Sequence, residues 1–300
     1  MYNIQNMKSK GFTLIELLVV ISIISMLSSI VLVAINAAKA KGVIAAALTF
    51  DSHNYSAYYL DASVAWDFDG DSGTTARDQS GNGNDLTLVG NASLVTTDTP
   101  SGYGKALSIP ATDGISGAHT SNYGLIQPPT DGYTISLWLK YTGSPAGGTF
   151  VHIITNTSAF PRDYLGNLKT GAWVLRTQND NILRYMYYYV GQGYTNVPGP
   201  IVSVNQWYQV TIVCDKSQNG GTFVFYSNAV KIGSSVIPSY STNCIFNNTD
   251  AIYLASPSVV NNPPYSVDNI RIYRKALPLS MIEKLYAIES EKFKTVAKGK

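Results

Sequence analysis

At 300 residues, 45% hydrophobic and only 13% charged, the chain can build one large β-domain plus an extra element, or two modest domains. Lys and Arg number 21 against 19 Asp and Glu, and no long basic stripe crosses the central region, which argues against nucleic acid as a main partner. Two cysteines, Cys214 and Cys244, lack CxxC or Cys/His spacing and argue against a zinc site.

The charges are unevenly spread. From Met1 to Leu60 four Lys face Glu16 and Asp51; from Asp61 to Ile270 nine Lys/Arg face fourteen Asp; from Arg271 onward eight Lys/Arg face three Glu. The first element is the run Leu17–Ala38, which carries no charge. At the helical rise it measures about 33 Å against a hydrocarbon core of about 30 Å, which predicts a membrane-spanning helix. A secretory signal peptide competes, because Ala38-Lys39-Ala40 has the small-x-small form that signal peptidase reads. The apolar core of such peptides spans only about 7–15 residues, however, and this run is longer. Lys8 and Lys10 on one flank balance Lys39 and Lys41 on the other, so charge does not orient the helix. The Ala-rich, Pro-free stretch to Tyr59 predicts that the helix continues to about 70 Å in total, with Gly42 a weak point of about 1 kcal/mol.

Lys8-Ser9-Lys10-Gly11-Phe12-Thr13-Leu14-Ile15-Glu16-Leu17 resembles the cleavage and methylation site of type IV pilins and pseudopilins, a likeness that covers about Lys8 to Lys41. It implies that a prepilin peptidase cuts between Gly11 and Phe12 and that Phe12 becomes the N-methylated first residue. Residues 1–11 are then a cytoplasmic leader and 12–60 a transmembrane and filament-assembly helix. The subunit would reside in the bacterial inner membrane and later join other pilin subunits in an extracellular filament. A carboxylate near the apolar part of a membrane costs several kcal/mol unless paired. For Glu16 the resemblance implies a meeting with the N-terminal amine of a neighbouring subunit; a plain position at the headgroup boundary is the alternative.

From Val64 to Tyr273 the pattern changes to period two. Tyr133–Lys140 sets Tyr133, Ile135, Leu137 and Leu139 on one face, and Trp207–Val213 and Thr222–Tyr226 read as further strands. Turn signals such as Gln79–Asn84 and Gln218–Gly221 separate them. About a dozen short strands predict a mainly β fold, an antiparallel two-sheet sandwich or jelly roll over 61–279. Ser280-Met281-Ile282-Glu283 reads as a capping box opening a short C-terminal helix, followed by a frayed basic tail to residue 300. Outside the cytosol, Cys214 and Cys244 could close a disulfide around 29 residues, worth roughly 3–4 kcal/mol; two buried free thiols are the alternative.

The order of Trp66-Asp67-Phe68, Asp78–Asn84, Gly104–Leu107, Thr134–Leu139, Trp207–Val210, Ser266–Tyr273 and Ala276-Leu277 resembles the laminin G-like, concanavalin A-like lectin superfamily over about 210 residues. That superfamily includes glucan hydrolases, whose retaining chemistry needs two carboxyl groups about 5 Å apart. No Glu occurs between Asp61 and Ser280, no closely spaced catalytic Asp pair reads on a Trp-bearing strand, and His53, His119 and His152 are isolated. No enzyme is expected.

Calcium is the expected cofactor. Asp67, Asp69 and Asp71 occupy alternate positions and Asp78 the twelfth counted from Asp67, close to the spacing of a calcium loop, although Gly73 is one place late for its turn. The resemblance implies another set, with Asp78, Asn82 and Asp268 together; a solvated acidic turn is the alternative to both. Tyr185, Tyr187 and Tyr189 share one strand face with Leu183, opposite Arg184, Met186 and Tyr188. Their rings would stack on sugars if exposed, or fill the core if buried.

The expected function is a pilin-like filament subunit whose lectin-like head adheres to glycans or proteins outside the cell. The competing readings are a pseudopilin of a type II secretion or DNA-uptake system, a membrane-tethered carbohydrate-active enzyme, and a scaffold head that binds nothing.

Overall fold

The computed structural model describes residues 13–28, 31, 62–100, 104–111, 116–120, 132–144, 151–156, 171–178, 180–189, 193–217, 221–238, 244, 251–255 and 263–297, without the side chains of 291–297. The chain divides into two compact units, Met1–His53 and Asn54–Lys300. In the first, residues 14–28 form helix α1 with its Leu, Ile and Val side chains exposed. Among the described residues no helix is long and apolar enough to cross a membrane. Of the run expected to cross, only residues 17–28 and 31 are described, and the continuation to Tyr59, with Gly42, lies outside.

The second unit opens with strands β1 (Ala62–Trp66), β2 (Thr75–Ala76), β3 (Leu86–Val89), β4 (Ser93–Val95), β5 (Ala106–Ile109) and β6 (Gly117–Thr120). Then come β7 (Gly132–Tyr141), β8 (Val151–Thr155), β9 (Trp173–Thr177), β10 (Ile182–Tyr189) and β11 (Gly193–Ile201). The last are β12 (Trp207–Asp215), β13 (Thr222–Ser227), β14 (Val230–Val236), β15 (Tyr253–Leu254) and β16 (Tyr265–Tyr273), before helix α2 (Leu279–Ala297). These sixteen among the described residues exceed the expected dozen because pieces as short as β2 and β15 carry too little pattern to read.

Sheet A runs β14-β13-β12-β7-β16-β5-β4, with β1 also on β16; sheet B runs β11-β10-β9-β8-β15-β6-β3-β2. Every strand ladder is antiparallel, from β1/β16 to the β12/β7 pair at the centre of sheet A. The alternation read along β7 holds: Tyr133, Ile135, Leu137 and Leu139 face the core with Val210 and Ile212 of β12 and Tyr185, Tyr187 and Phe223. Cys214 and Cys244, both fully buried, are joined as a disulfide.

The outer face of sheet A is covered by α2. Ile282 and Leu285 pack on Ala62, Ala65, Val213, Tyr273 and Leu277, and Tyr286 stacks on Trp138 with centroids 6.0 Å apart. This explains why Ser136, Gln209 and Thr211, polar residues on an outer face, are buried. The helix starts two residues earlier than the capping box implied. The Pro278 carbonyl accepts the Met281 and Ile282 N–H groups at 2.9 and 3.2 Å, so Ser280 lies inside the first turn instead of ahead of it. The helical backbone also runs to Ala297, through much of the stretch expected to fray.

Candidate functional site

Gly11 and Phe12, the expected processing pair, lie outside the described residues. At the mouth of α1, Thr13 and Glu16 form a reciprocal cap. The Thr13 N–H and hydroxyl donate to Glu16 Oε2 at 2.8 and 2.9 Å, and the Glu16 N–H donates back to Thr13 Oγ1 at 3.3 Å. The Thr-x-x-Glu spacing was the available signal, and a sequence reading that looks only for an intersubunit partner of Glu16 passes over it.

The acidic residues of the head divide into two groups. Asp78 is structural: it accepts the N–H groups of Ala65, Ser80 and Asn84 at 2.9, 3.0 and 3.0 Å. Asp71 accepts the Arg77 side-chain and backbone N–H groups at 3.0 and 3.1 Å. The Asn82 amide donates to the carbonyls of Ala62 and Ser63 at 3.2 and 3.3 Å. Asp78 and Asn82, expected beside Asp268, are thus both engaged in holding β1.

Asp67, Asp69 and Asp268 form the second group. Asp268 is buried, and its carboxyl is pushed well above the usual range first by burial and then by the charges of Asp69 and Asp67. Asp69 Oδ1 accepts the Lys105 N–H at 2.9 Å, a close approach that requires Gly104, where a Cβ would stand 1.7 Å from that oxygen. Among the described residues no three His, Cys, Asp or Glu side chains make a ready metal-holding group. A cation here would have to draw on backbone carbonyls or water as well, as calcium often does.

Of the two readings of the tyrosine face, burial in the core is the one found, which takes Tyr185, Tyr187 and Tyr189 out of the candidate ligand-binding residues. Tyr185 and Tyr187 are fully buried and Tyr189 is 2% exposed, so they cannot stack on a sugar. Sheet A lies over them: the Tyr185 hydroxyl pairs with that of Tyr133, and the Tyr187 ring sits 5.0 Å from Phe223. Among the described residues an accessible aromatic is Tyr194 on the edge strand β11, 56% exposed and 5.6 Å from the Tyr188 ring. His152 is buried too, its pKa pushed down to about 3 by burial and then by Arg176, as suits a structural residue.

The ladder registers sort the connections onto two rims of the sandwich. Ala62, Tyr273, Thr134 and Val213 stand in one row near the end where β1 enters. At the far end Tyr141 pairs with Tyr265, and the Tyr141 hydroxyl bonds Thr177 of sheet B at 2.9 Å. The β9–β10 turn and the β11–β12 connection meet on this far rim, where the Val202 N–H donates to the Asn181 carbonyl at 2.9 Å and the Asn205 N–H to the Tyr141 carbonyl at 2.7 Å. Ile201 (69% exposed) and Val204 stand out there, beside the Asp180–Arg184 ion pair, in which Arg184 draws the Asp180 pKa down to about 2.

One polar cluster was not legible from sequence. Glu289 of α2 is buried; it is paired with Arg271 of β16 and accepts the Trp138 indole N–H at 2.5 Å and a Gln209 amide N–H at 3.4 Å.

Comparison with known proteins fits this architecture. The prokaryotic N-terminal methylation motif matches residues 6–32. Among solved structures, the binding domain of Paraclostridial Mosquitocidal Protein 1 is 18% identical with a TM-score of 0.59, over 76% of this chain and 52% of that one. The botulinum neurotoxin serotype D binding domain is 14% identical with a TM-score of 0.58, over 76% and 51%. A structure described as showing that cell entry of botulinum neurotoxin type C depends on interaction with two ganglioside molecules is 13% identical, TM-score 0.59, over 77% and 52%. The chain thus spans about half the length of these solved chains, and at such identities the likeness is one of fold. No curated protein matches the chain. The family model of the concanavalin A-like lectin/glucanases superfamily matches residues 112–283, more than half of the chain, and the chain belongs to that superfamily.

Proposed function

We propose that the chain is a type IV pilin-like filament subunit that presents a lectin-like domain for adhesion to glycans or proteins outside the cell. The observation that carries this reading is the joining, in one chain, of a methylation motif at residues 6–32 and a concanavalin A-like sandwich. The motif supports processing by a prepilin peptidase between Gly11 and Phe12, anchorage in the inner membrane, and assembly with other pilins through the segment holding Glu16. The solved neighbours are binding or receptor-binding domains, which favours a binding head over an enzyme. Among the described residues, Glu289 reaches a sheet face, and it is engaged by Arg271.

The far rim, with Ile201, Val204, Asn181 and Asn205, is the proposed ligand-facing surface because it lies opposite the entry of β1. Calcium is proposed as an accessory at Asp67, Asp69 and Asp268, where it would offset the burial and, after it, the repulsion from Asp69 and Asp67 that raise the Asp268 carboxyl. The test is a glycan and matrix-protein panel probed with the full chain in detergent and with Ile201→Asp. Binding that falls at least tenfold in the variant supports an adhesive rim; a blank panel would favour a head that only coats the filament.

A further inference from the structure

Strand β1 carries the chain from the N-terminal unit into the sandwich, and its ladder to β16 is short: Ala62 pairs with Tyr273, Val64 with Ile272, Ala65 with Arg271 and Trp66 with Ile270, with a bulge at Ser63. Its other edge borders no strand among the described residues. The loop from Asp78 to Asn84 covers that edge instead. The Asn82 side-chain amide donates to the Ala62 and Ser63 carbonyls, the Asn84 amide to the Ser63 carbonyl at 2.9 Å, and the Ser80 hydroxyl to the same carbonyl at 3.2 Å. Further along, Asp78 Oδ1 accepts the Ala65 N–H, the Gln79 N–H donates to the Ala65 carbonyl at 2.8 Å, and the Trp66 indole donates to the Asn84 carbonyl at 2.8 Å. Side chains, joined by the Gln79 N–H, thus do for β1 what a neighbouring strand would do, and Asp78 braces the loop through the Ser80 and Asn84 N–H groups.

The distribution of these bonds has a direction. Antiparallel register places Ala62 beside Tyr273, the last residue of β16, so a pull on the chain before Ala62 opens that ladder from its end, one pair after another. The loop's side-chain donors converge on the carbonyls of Ala62 and Ser63, the two residues such a pull reaches first. We infer that the loop from Asp78 to Asn84 is a mechanical latch that keeps β1 seated when tension enters the head through Ala62. The source of tension, a filament on one side and a bound ligand on the other, rests on the proposed function; the geometry of the latch does not.

The full chain in detergent micelles is pulled between an N-terminal and a C-terminal tag. In a second geometry it is pulled between K231C on β14 and the C-terminal tag, which leaves β1 unloaded. Asn82→Ala is expected to unfold about tenfold faster at a given load in the first geometry, as the loss of a hydrogen bond or two at the loaded strand implies. Ser80→Ala, a milder change, is expected to unfold about threefold faster. Both variants stay within about twofold of the parent in the second geometry. Equal acceleration in both geometries would make the loop a general stabiliser and overturn the latch, as would unchanged unfolding of both variants under N-terminal load. Filament entry is read separately from the mature N-terminus, so either reading can fail without the other.

Discussion

Arg271 of strand β16 and Glu289 of helix α2 form a buried ion pair at the seam between sheet A and the C-terminal helix. The Trp138 indole also donates to Glu289, and the Tyr286 ring one turn earlier stacks on Trp138. The helix is therefore docked by a polar lock as well as by Ile282 and Leu285.

Removing one member of that lock leaves the other charged and buried. Glu289→Ala is expected to lower the unfolding free energy by about 3–5 kcal/mol, whereas the apolar double replacement Arg271→Met with Glu289→Leu should recover most of the loss. Urea denaturation of the full chain in detergent checks both. A double variant as unstable as the single one would mean that the pair is not the source of the effect.

Asp268 sets a pH dependence. Its pKa is raised in the folded state, so the protonated form is favoured there; stability from this group is full below the ordinary carboxylate pKa of about 3.9 and declines as pH rises toward the folded value. Asp268→Asn is accordingly expected to be more stable than the parent at neutral pH, with the gap closing below about pH 4. Millimolar calcium should raise the parent's melting temperature by several degrees and the variant's by less. Identical responses to calcium would remove Asp268 from the cation proposal.

The two tyrosine environments predict opposite phenotypes. Tyr187→Ala opens a cavity among Tyr185, Tyr189 and Phe223 and should cost about 3–5 kcal/mol. Tyr194→Ala, on an exposed edge strand, should stay within about 0.5 kcal/mol. A thermal-denaturation comparison decides; similar losses would contradict the assignment of inner and outer faces on sheet B.

That comparison also shows what a sequence can and cannot carry. Period two along Tyr133–Tyr141 identifies the inward face because Thr134, Ser136 and Lys140 on the other side are polar. Along Ile182–Tyr189 both faces hold large apolar or aromatic groups, so alternation sorts Tyr185, Tyr187 and Tyr189 together but does not say which side sheet A lies on. Asp78 and Asn82 are oxygen-bearing residues at a suggestive spacing, yet their partners include backbone groups of Ala62, Ser63 and Ala65, which no side-chain pattern advertises. Glu289 stayed hidden because its partners lie on three different strands, at positions 138, 209 and 271. The pairing of Cys214 with Cys244 could be stated from sequence as one of two options, and the fold decides it by bringing both into the core.

On the proposed function the chain is matured as a pilin and carries its head out of the cell on a filament. The most direct test of this is the mass of the mature N-terminus in protein recovered from sheared surface filaments. Pilin maturation predicts a chain beginning at N-methylated Phe12, with residues 1–11 removed. A chain beginning at Lys41, as signal peptidase would leave it, would rule out maturation as a pilin.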